Sequence, residues 1–334
     1  MEENKINSGN RCLSSGQGNI VIKSEDDIIC EKKSPFIVYE YMRYKRVKKR
    51  DCSNIEINRL LANGVLTDAH DKVFKILGKF GYLNSFMIRT YLSHITGGQY
   101  DFDAVQMRKL LKNMVKLGFL LQYELFHADE EGLQEGELQG SPFIYCLSAG
   151  GIKYLKKQGI TNNHEALNKP FDVTEVLHIL SFNQFHIMFI KQYGRTALVR
   201  TLDYYGQIYE YIKVSGMYTL RIQKDDVLHL FVQPIRNDRK WSFKFLSTLR
   251  NIKLYTDKNK INCFIVLFIC ETEYQAMECA KKQNCDADIK DIEVFFETDT
   301  SLITEKDVFD RLISVQPQND YSCRNIVKLN LRKA

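Results

Sequence analysis

Apolar positions recur at helical spacing several times between residues 67 and 160. Over 67–77, Val73, Phe74, Ile76 and Leu77 form one stripe. Thr67 is placed to cap it, Asp68 and Asp71 favour its first turn, and Gly78 or Gly81 ends it. Asn84 caps a second helix over 85–92, with Phe86, Ile88 and Leu92 inward, and Gly97-Gly98 makes the following turn. Asp103 opens a third helix to 117, with Ala104, Met107, Leu111, Met114 and Leu117 as its buried stripe and Gly118 as its stop. Residues 119–126 and 143–147 then read as strands separated by a loop, and Ser148 caps a fourth helix containing Ile152, Tyr154 and Leu155.

The second half has a different rhythm. A long helix over 174–193 is apolar on most sides, which predicts a buried helix. Strands are predicted over 196–202, 207–214, 217–222 and 227–233, with a turn at Lys224-Asp225-Asp226 between the last two. An amphipathic helix over 241–255 precedes a continuous apolar strand over 261–270, of the kind buried on both faces. A helix over 271–283, a strand over 292–296 and a last helix over 305–313 follow. The fold class is therefore α+β to α/β. Short helices followed by a two-stranded wing and a helix are the order of an N-terminal winged helix-turn-helix domain, expected over 61–168. A mixed α/β domain around a central sheet is expected over 169–334. Residues 1–60 show little periodicity and are expected to be a weakly ordered, charged segment.

Composition narrows the classes. The 334 residues carry 47 Lys+Arg and 41 Asp+Glu, a net charge of +6, which permits a nucleic-acid partner without requiring one. That total hides local extremes. A basic run (Arg43, Lys45, Arg46, Lys48, Lys49, Arg50) is interleaved with Tyr41 and Tyr44, and an acidic loop carries Asp129, Glu130, Glu131, Glu135 and Glu137. Residues 1–19 are polar, so no secretory signal is expected, and no apolar run reaches the ~18–20 residues of a membrane span. A cytoplasmic protein is expected, with its 9 Cys reduced. No closely spaced Cys pairs, P-loop, GxSxG or HExxH phrase occurs, so no cofactor or metal is expected.

The two halves together resemble the replication-relaxation family of plasmids and integrative elements, over about residues 65–270. The resemblance rests on three phrases. In Tyr145-Cys146-Leu147-Ser148-Ala149-Gly150-Gly151-Ile152-Lys153-Tyr154-Leu155 the family shows a leucine, a hydroxyl residue and a glycine before a helix. In Leu177-His178-Ile179-Leu180-Ser181-Phe182-Asn183 it tends to place a His and an Asn. Residues 217–255 share its order of strand, hairpin, strand and helix. The resemblance implies a winged helix before a restriction-endonuclease-like domain. Family members carry an Arg-Pro-Asp phrase on one hairpin strand and a Glu near the end of the next. Here Thr219 falls where the Asp is expected and Gln233 where the Glu is expected. Neither offers a charge to a hard cation, so the second domain is expected to be catalytically degenerate.

A winged helix places its third helix in the major groove. The outward residues there are Gln106, Arg108, Lys109, Lys112, Asn113 and Lys116. Gln106 and Arg108 could read base edges, and Lys109 and Lys112 phosphates. Arg46, Lys48, Lys49 and Arg50 form a second candidate contact. The expected function is that of a non-enzymatic, double-stranded-DNA-binding accessory protein of a mobile element. A protein partner (a relaxase or the replication machinery) or a homodimer is also open. One alternative is a protein-interaction scaffold using the acidic loop. The other is a metal-dependent nuclease with displaced carboxylates at Glu210, Asp225 or Asp226.

Overall fold

The computed structural model describes residues 34–37, 42–47, 51–128, 135–137, 143–160, 172–193, 198–202, 208–209, 212–221, 227–304, 309, 311–315 and 324–327. The chain divides into two compact units, Val38–Ile187 on the one hand and Met1–Ile37 with Met188–Ala334 on the other. The first unit is thus inserted in sequence between two parts of the second. The division falls inside the long helix rather than at 168, where the apolar pattern had placed it.

The Val38–Ile187 unit runs β1 (Met42–Val47), α1 (Asn54–Ala62), α2 (Asp68–Phe80), β2 (Leu83–Asn84), α3 (Ser85–Ile95), α4 (Ala104–Lys116), β3 (Leu120–Ala128), β4 (Glu135–Glu137), β5 (Ile144–Leu147), α5 (Ala149–Lys157) and most of α6 (Val173–Tyr193). Its sheet has the order β1-β3-β5-β2, with β4 also paired to β3, and every pairing is antiparallel. β1 and α1 lie inside the stretch expected to be weakly ordered. The strand escaped notice because its middle residues are all exposed and polar or aromatic. The helix escaped because Ile57 is its one fully buried side chain.

The local signals explain the helix ends. Asn84 accepts from Met87 N at 2.8 Å, and Asp103 accepts from Val105 N and Gln106 N, both at 2.7 Å. Gly118, at φ 83°, closes α4 in a Schellman arrangement, with Phe119 N donating to Met114 O at 3.0 Å and Gly118 N to Val115 O at 3.1 Å. The Leu-Ser-Ala-Gly-Gly phrase at residues 147–151 has a packing cause. Ser148 Oγ donates to Gly118 O at 2.6 Å and accepts from Gly150 N and Gly151 N, seating α5 against the turn after α4. A Cβ on Gly150 would stand 2.6 Å from Gly118 O, and one on Gly151 2.5 Å from Phe119 O. The core here is aromatic, with Phe74 against Phe119 at 5.1 Å and against Tyr154 at 4.3 Å between ring centroids.

α6 contributes two buried polar groups to this unit. Asn183 Nδ2 donates to Phe80 O at 3.1 Å and to Tyr82 O at 2.9 Å, where α2 ends at Gly81 with φ 72°. His186 packs against Phe80 and Phe182, and burial, reinforced by the Lys79 charge, pulls its pKa down to about 3. The unfolded chain takes up this proton below its ordinary value of 6.5, whereas the folded chain resists it until about 3. The group's stabilising contribution is therefore complete above pH 6.5 and is lost as pH falls below it. Lowering the pH to 5 is expected to remove about 2 kcal/mol, at ~1.4 kcal/mol per pH unit. Urea titrations of wild type and His186→Phe at both pH values check this. Equal pH dependence in the two chains would contradict it.

The second unit contains the end of α6, then β6 (Leu198–Leu202), β7 (Ile208–Tyr209), β8 (Ile212–Lys213), β9 (Gly216–Arg221), β10 (Val227–Pro234), α7 (Trp241–Lys258), β11 (Phe264–Cys270), α8 (Glu273–Asn284), β12 (Val294–Thr298), α9 (Ser301–Thr304), β13 (Leu312–Val315) and β14 (Arg324–Val327). A seven-stranded sheet has the order β14-β13-β12-β11-β10-β9-β6, and β7 and β8 form a separate ribbon. β10, β11 and β12 are parallel, linked through α7 and α8, and the strands on either side are antiparallel. Phe245, Phe268 and Phe296 anchor the core beneath α7. The final predicted helix is corrected. Leu312–Val315 is a strand, and residues 305–308 and 310 lie outside the described residues. Phe309, Leu312 and Ile313 are all buried, and their spacing imitates a helical stripe. The single strand predicted over 207–214 is instead the short β7–β8 ribbon. The whole is a mixed α+β structure. Among the described residues no helix is long and apolar enough to cross a membrane.

Candidate nucleic-acid interface

α4 buries Met107, Leu111, Met114 and Val115, half-buries Leu110 and turns its other side chains outward. Gln106, Arg108, Lys109, Lys112, Asn113 and Lys116 are all exposed, as the apolar stripe predicts. The helix has no acidic residue. Among the described residues no carboxylate pairs with Lys109, Lys112 or Lys116, whereas on α2 Lys75 is spent on Asp71 at 2.6 Å. Val105, Lys109, Lys112 and Lys116 are spaced by four, three and four, which puts them on one face. Val105 is 53% exposed at the start of that face. An apolar residue on a polar face carries no recognisable signal in sequence, so its place was missed.

Two of the candidate base-reading residues are engaged locally. Gln106 Oε1 accepts from Asp103 N at 2.9 Å and completes the capping box, which removes half of the amide that would read adenine. Arg108 Nε donates to Ala104 O at 3.1 Å, leaving its terminal nitrogens outward. Its charge also reaches Tyr145 on β5. Burial raises the Tyr145 pKa to about 12, and Arg108 opposes that rise.

The second candidate group divides. Lys48, Lys49 and Arg50 lie outside the described residues. Arg46 is on β1, opposite Tyr123, and is exposed. Burial lifts the Tyr123 pKa to about 12 and Arg46 counters it. The acidic loop is described only at Glu135–Glu137, where the backbone of β4 pairs with β3.

The hairpin on which Thr219 and Gln233 replace the expected carboxylates has a register that changes the comparison. Thr219 pairs with His229, while Gln233 lies beyond the Val232↔Gly216 pair. Thr219 and Gln233 are therefore far apart along the hairpin and could not share a cation. The residue facing Gln233 is Ser215, whose N and Oγ donate to Gln233 Oε1 at 2.8 and 3.2 Å. These two residues are uncharged as well. Glu210, Asp225 and Asp226 lie outside the described residues. No group of His, Cys, Asp and Glu among the described residues is arranged to hold a metal.

A buried polar cluster does sit at the carboxyl ends of β10, β11 and β12, the usual ligand crevice of an open α/β sheet. Arg236 pairs with Asp299 through two contacts of 2.6 and 3.3 Å and donates to Phe36 O and Ile269 O. Ser34 Oγ donates to Asp299 at 2.6 Å. Burial opposes the Arg236 charge, but Asp299, with Glu271 and Cys270, outweighs it and holds its pKa above the ordinary value. This part of the crevice is filled by the chain's own residues 34–37, with Phe36 fully buried. Nothing in the sequence pairs Ser34 with Asp299 across 265 positions. In comparison with known proteins, the chain matches no family model, no curated protein and no solved structure.

Proposed function

We propose that this protein is a non-enzymatic accessory protein that binds duplex DNA through the Val38–Ile187 unit, used as a winged helix-turn-helix. The observation carrying this reading is α4, whose exposed face holds Arg108, Lys109, Lys112 and Lys116 with no carboxylate. Support comes from the element order α2, β2, α3, α4, β3, β5, α5, which is that of a winged helix with α4 as its recognition helix. The order α6, β6, β9, β10, α7, β11 supports a restriction-endonuclease-like ancestry for the other unit, and Ser215 and Gln233 a catalytically degenerate one. Both agree with the resemblance to the replication-relaxation family and hence with a role in plasmid or integrative-element replication, mobilisation or regulation.

Fluorescence anisotropy with mixed-sequence duplex at low salt tests the reading. Wild type is expected to bind, and Lys109→Ala/Lys112→Ala to bind roughly ten-fold more weakly at about 100 mM salt, with a salt slope shallower by about 2. Absence of binding by wild type, or an unchanged double variant, would overturn it. A protein partner or second copy remains a further reading. It is favoured by Phe243 and Leu254, 70% and 62% exposed and three turns apart on α7. Sedimentation of wild type and Phe243→Ser/Leu254→Ser checks for self-association.

A further inference from the structure

The polar groups at the start of α4 are turned back on the helix itself. Asp103 Oδ1 accepts from Val105 N and Gln106 N, both at 2.7 Å. Gln106 Oε1 accepts from Asp103 N at 2.9 Å, and Arg108 Nε donates to Ala104 O at 3.1 Å. Ahead of them, the first two residues of the helix are apolar and outward. Ala104 and Val105 are both exposed, Val105 to 53%. A half-exposed valine gains little from burial, and its branched Cβ makes it a poorer helix former than Ala, Lys or Gln. Charge is distributed the opposite way along this face. At a rise of ~1.5 Å per residue, Lys109, Lys112 and Lys116 follow Val105 at roughly 6, 10 and 16 Å along the axis. Asp101 and Asp103, both exposed, stand just before the apolar end.

We infer that Val105 is a sequence-reading residue of α4 and that it reads the 5-methyl group of thymine in the major groove. The inference rests on the DNA-binding reading of α4 and adds to it a base that the helix prefers. A helix-turn-helix sets the N-terminal residues of its recognition helix over base edges. Charge favours the same orientation. The Asp101 and Asp103 carboxylates repel phosphate from this end of the helix, and the lysines attract it to the other. Of the groups that base edges show in the major groove, the thymine methyl is the one an apolar side chain recognises. The isopropyl group of Val105 covers it without leaving a donor or acceptor unpaired. Gln106 is the weaker reader, because a bidentate match to adenine needs both ends of the amide and one end is held in the cap. Arg108 keeps its terminal nitrogens outward for guanine or phosphate, a contact that a duplex without guanine separates from that of Val105.

The test uses the full chain and two short duplexes of alternating dA and dT, one of them with deoxyuridine at every thymidine position. Affinity is followed by anisotropy over a salt series. The two duplexes differ only in the major-groove methyl. Wild type is expected to bind the thymine duplex about four-fold more tightly, the effect of burying one methyl. Val105→Ala is expected to bind the two alike while keeping the wild-type salt slope, because no cation is lost. Alanine is the better helix former, so this variant keeps α4. Lys109→Ala/Lys112→Ala is expected to do the reverse, keeping the four-fold ratio with a slope shallower by about 2. If the lysine variant shows the shallower slope but wild type binds both duplexes alike, or Val105→Ala keeps the wild-type ratio, the inference fails while the role of α4 stands. If wild type binds neither duplex, both fail together.

Discussion

Replacing Arg236 by Ala is expected to destabilise its unit by about 3–5 kcal/mol, the usual cost of stranding one member of a buried ion pair. Arg236 and Asp299 expose 1% and 0% of their side chains, so water cannot take over when the guanidinium is lost. Asp299 would keep Ser34 but lose its charge partner, and Phe36 O and Ile269 O would lose their donor. The single Trp, Trp241, lies on α7 of the same unit and reports its unfolding by fluorescence in urea. The double variant Arg236→Met/Asp299→Leu is expected to recover much of the loss, because it removes both charges together. Ser34→Ala should cost less, about 1–2 kcal/mol, as a single hydrogen bond to a charged group. A midpoint for Arg236→Ala equal to wild type would show that the pair contributes nothing to the unit.

Asn183→Leu is expected to cost the Val38–Ile187 unit about 1–3 kcal/mol. Tyr82 O would lose its Asn183 donor and Phe80 O would keep Tyr82 N at 2.9 Å, so the loss is that of two hydrogen bonds from one buried amide. Asn183→Asp is expected to be at least as damaging, since it sets a carboxylate against two carbonyl oxygens. Amide hydrogen exchange is the readout, followed at α2, β2 and α3. Faster exchange there in both variants is the expected result, and wild-type protection in Asn183→Leu would contradict it. The spacing of His178 and Asn183 belonged to the family resemblance. For Asn183 the structure supplies a physical reason, which is to satisfy the end of α2.

The residues that were legible in the sequence are those whose fate is decided locally. Asn84, Asp103 and Ser148 cap helices because their side chains reach backbone donors two or three residues on. Gly118 ends α4 because the turn needs a positive φ. The outward set on α4 followed from the 3.6-residue period alone. The misreadings come from contacts between distant positions. β1 becomes a strand by pairing with β3, and its own residues show a basic run rather than an apolar alternation. The 312–315 segment is drawn into the sheet by β12 and β14 against its helix-like spacing. The facing of Gln233 and Ser215 depends on the register between β9 and β10. Gln106 is held by a capping box whose Asp-x-x-Gln spacing is itself legible in the sequence and competes with a role at DNA.

The proposed contact sets the outward face of α4 against DNA. Its most direct test is photo-cross-linking from the full chain, with a benzophenone side chain placed at position 105 on that face or, separately, at position 243 on α7. Val105 and Phe243 are both well exposed in wild type, so neither replacement disturbs a core. With labelled duplex at low salt, position 105 is predicted to give a protein–DNA adduct that excess unlabelled duplex competes away, and position 243 none. Duplex binding accompanied by equal adduct yields from the two positions, or by none from position 105, would contradict the claim.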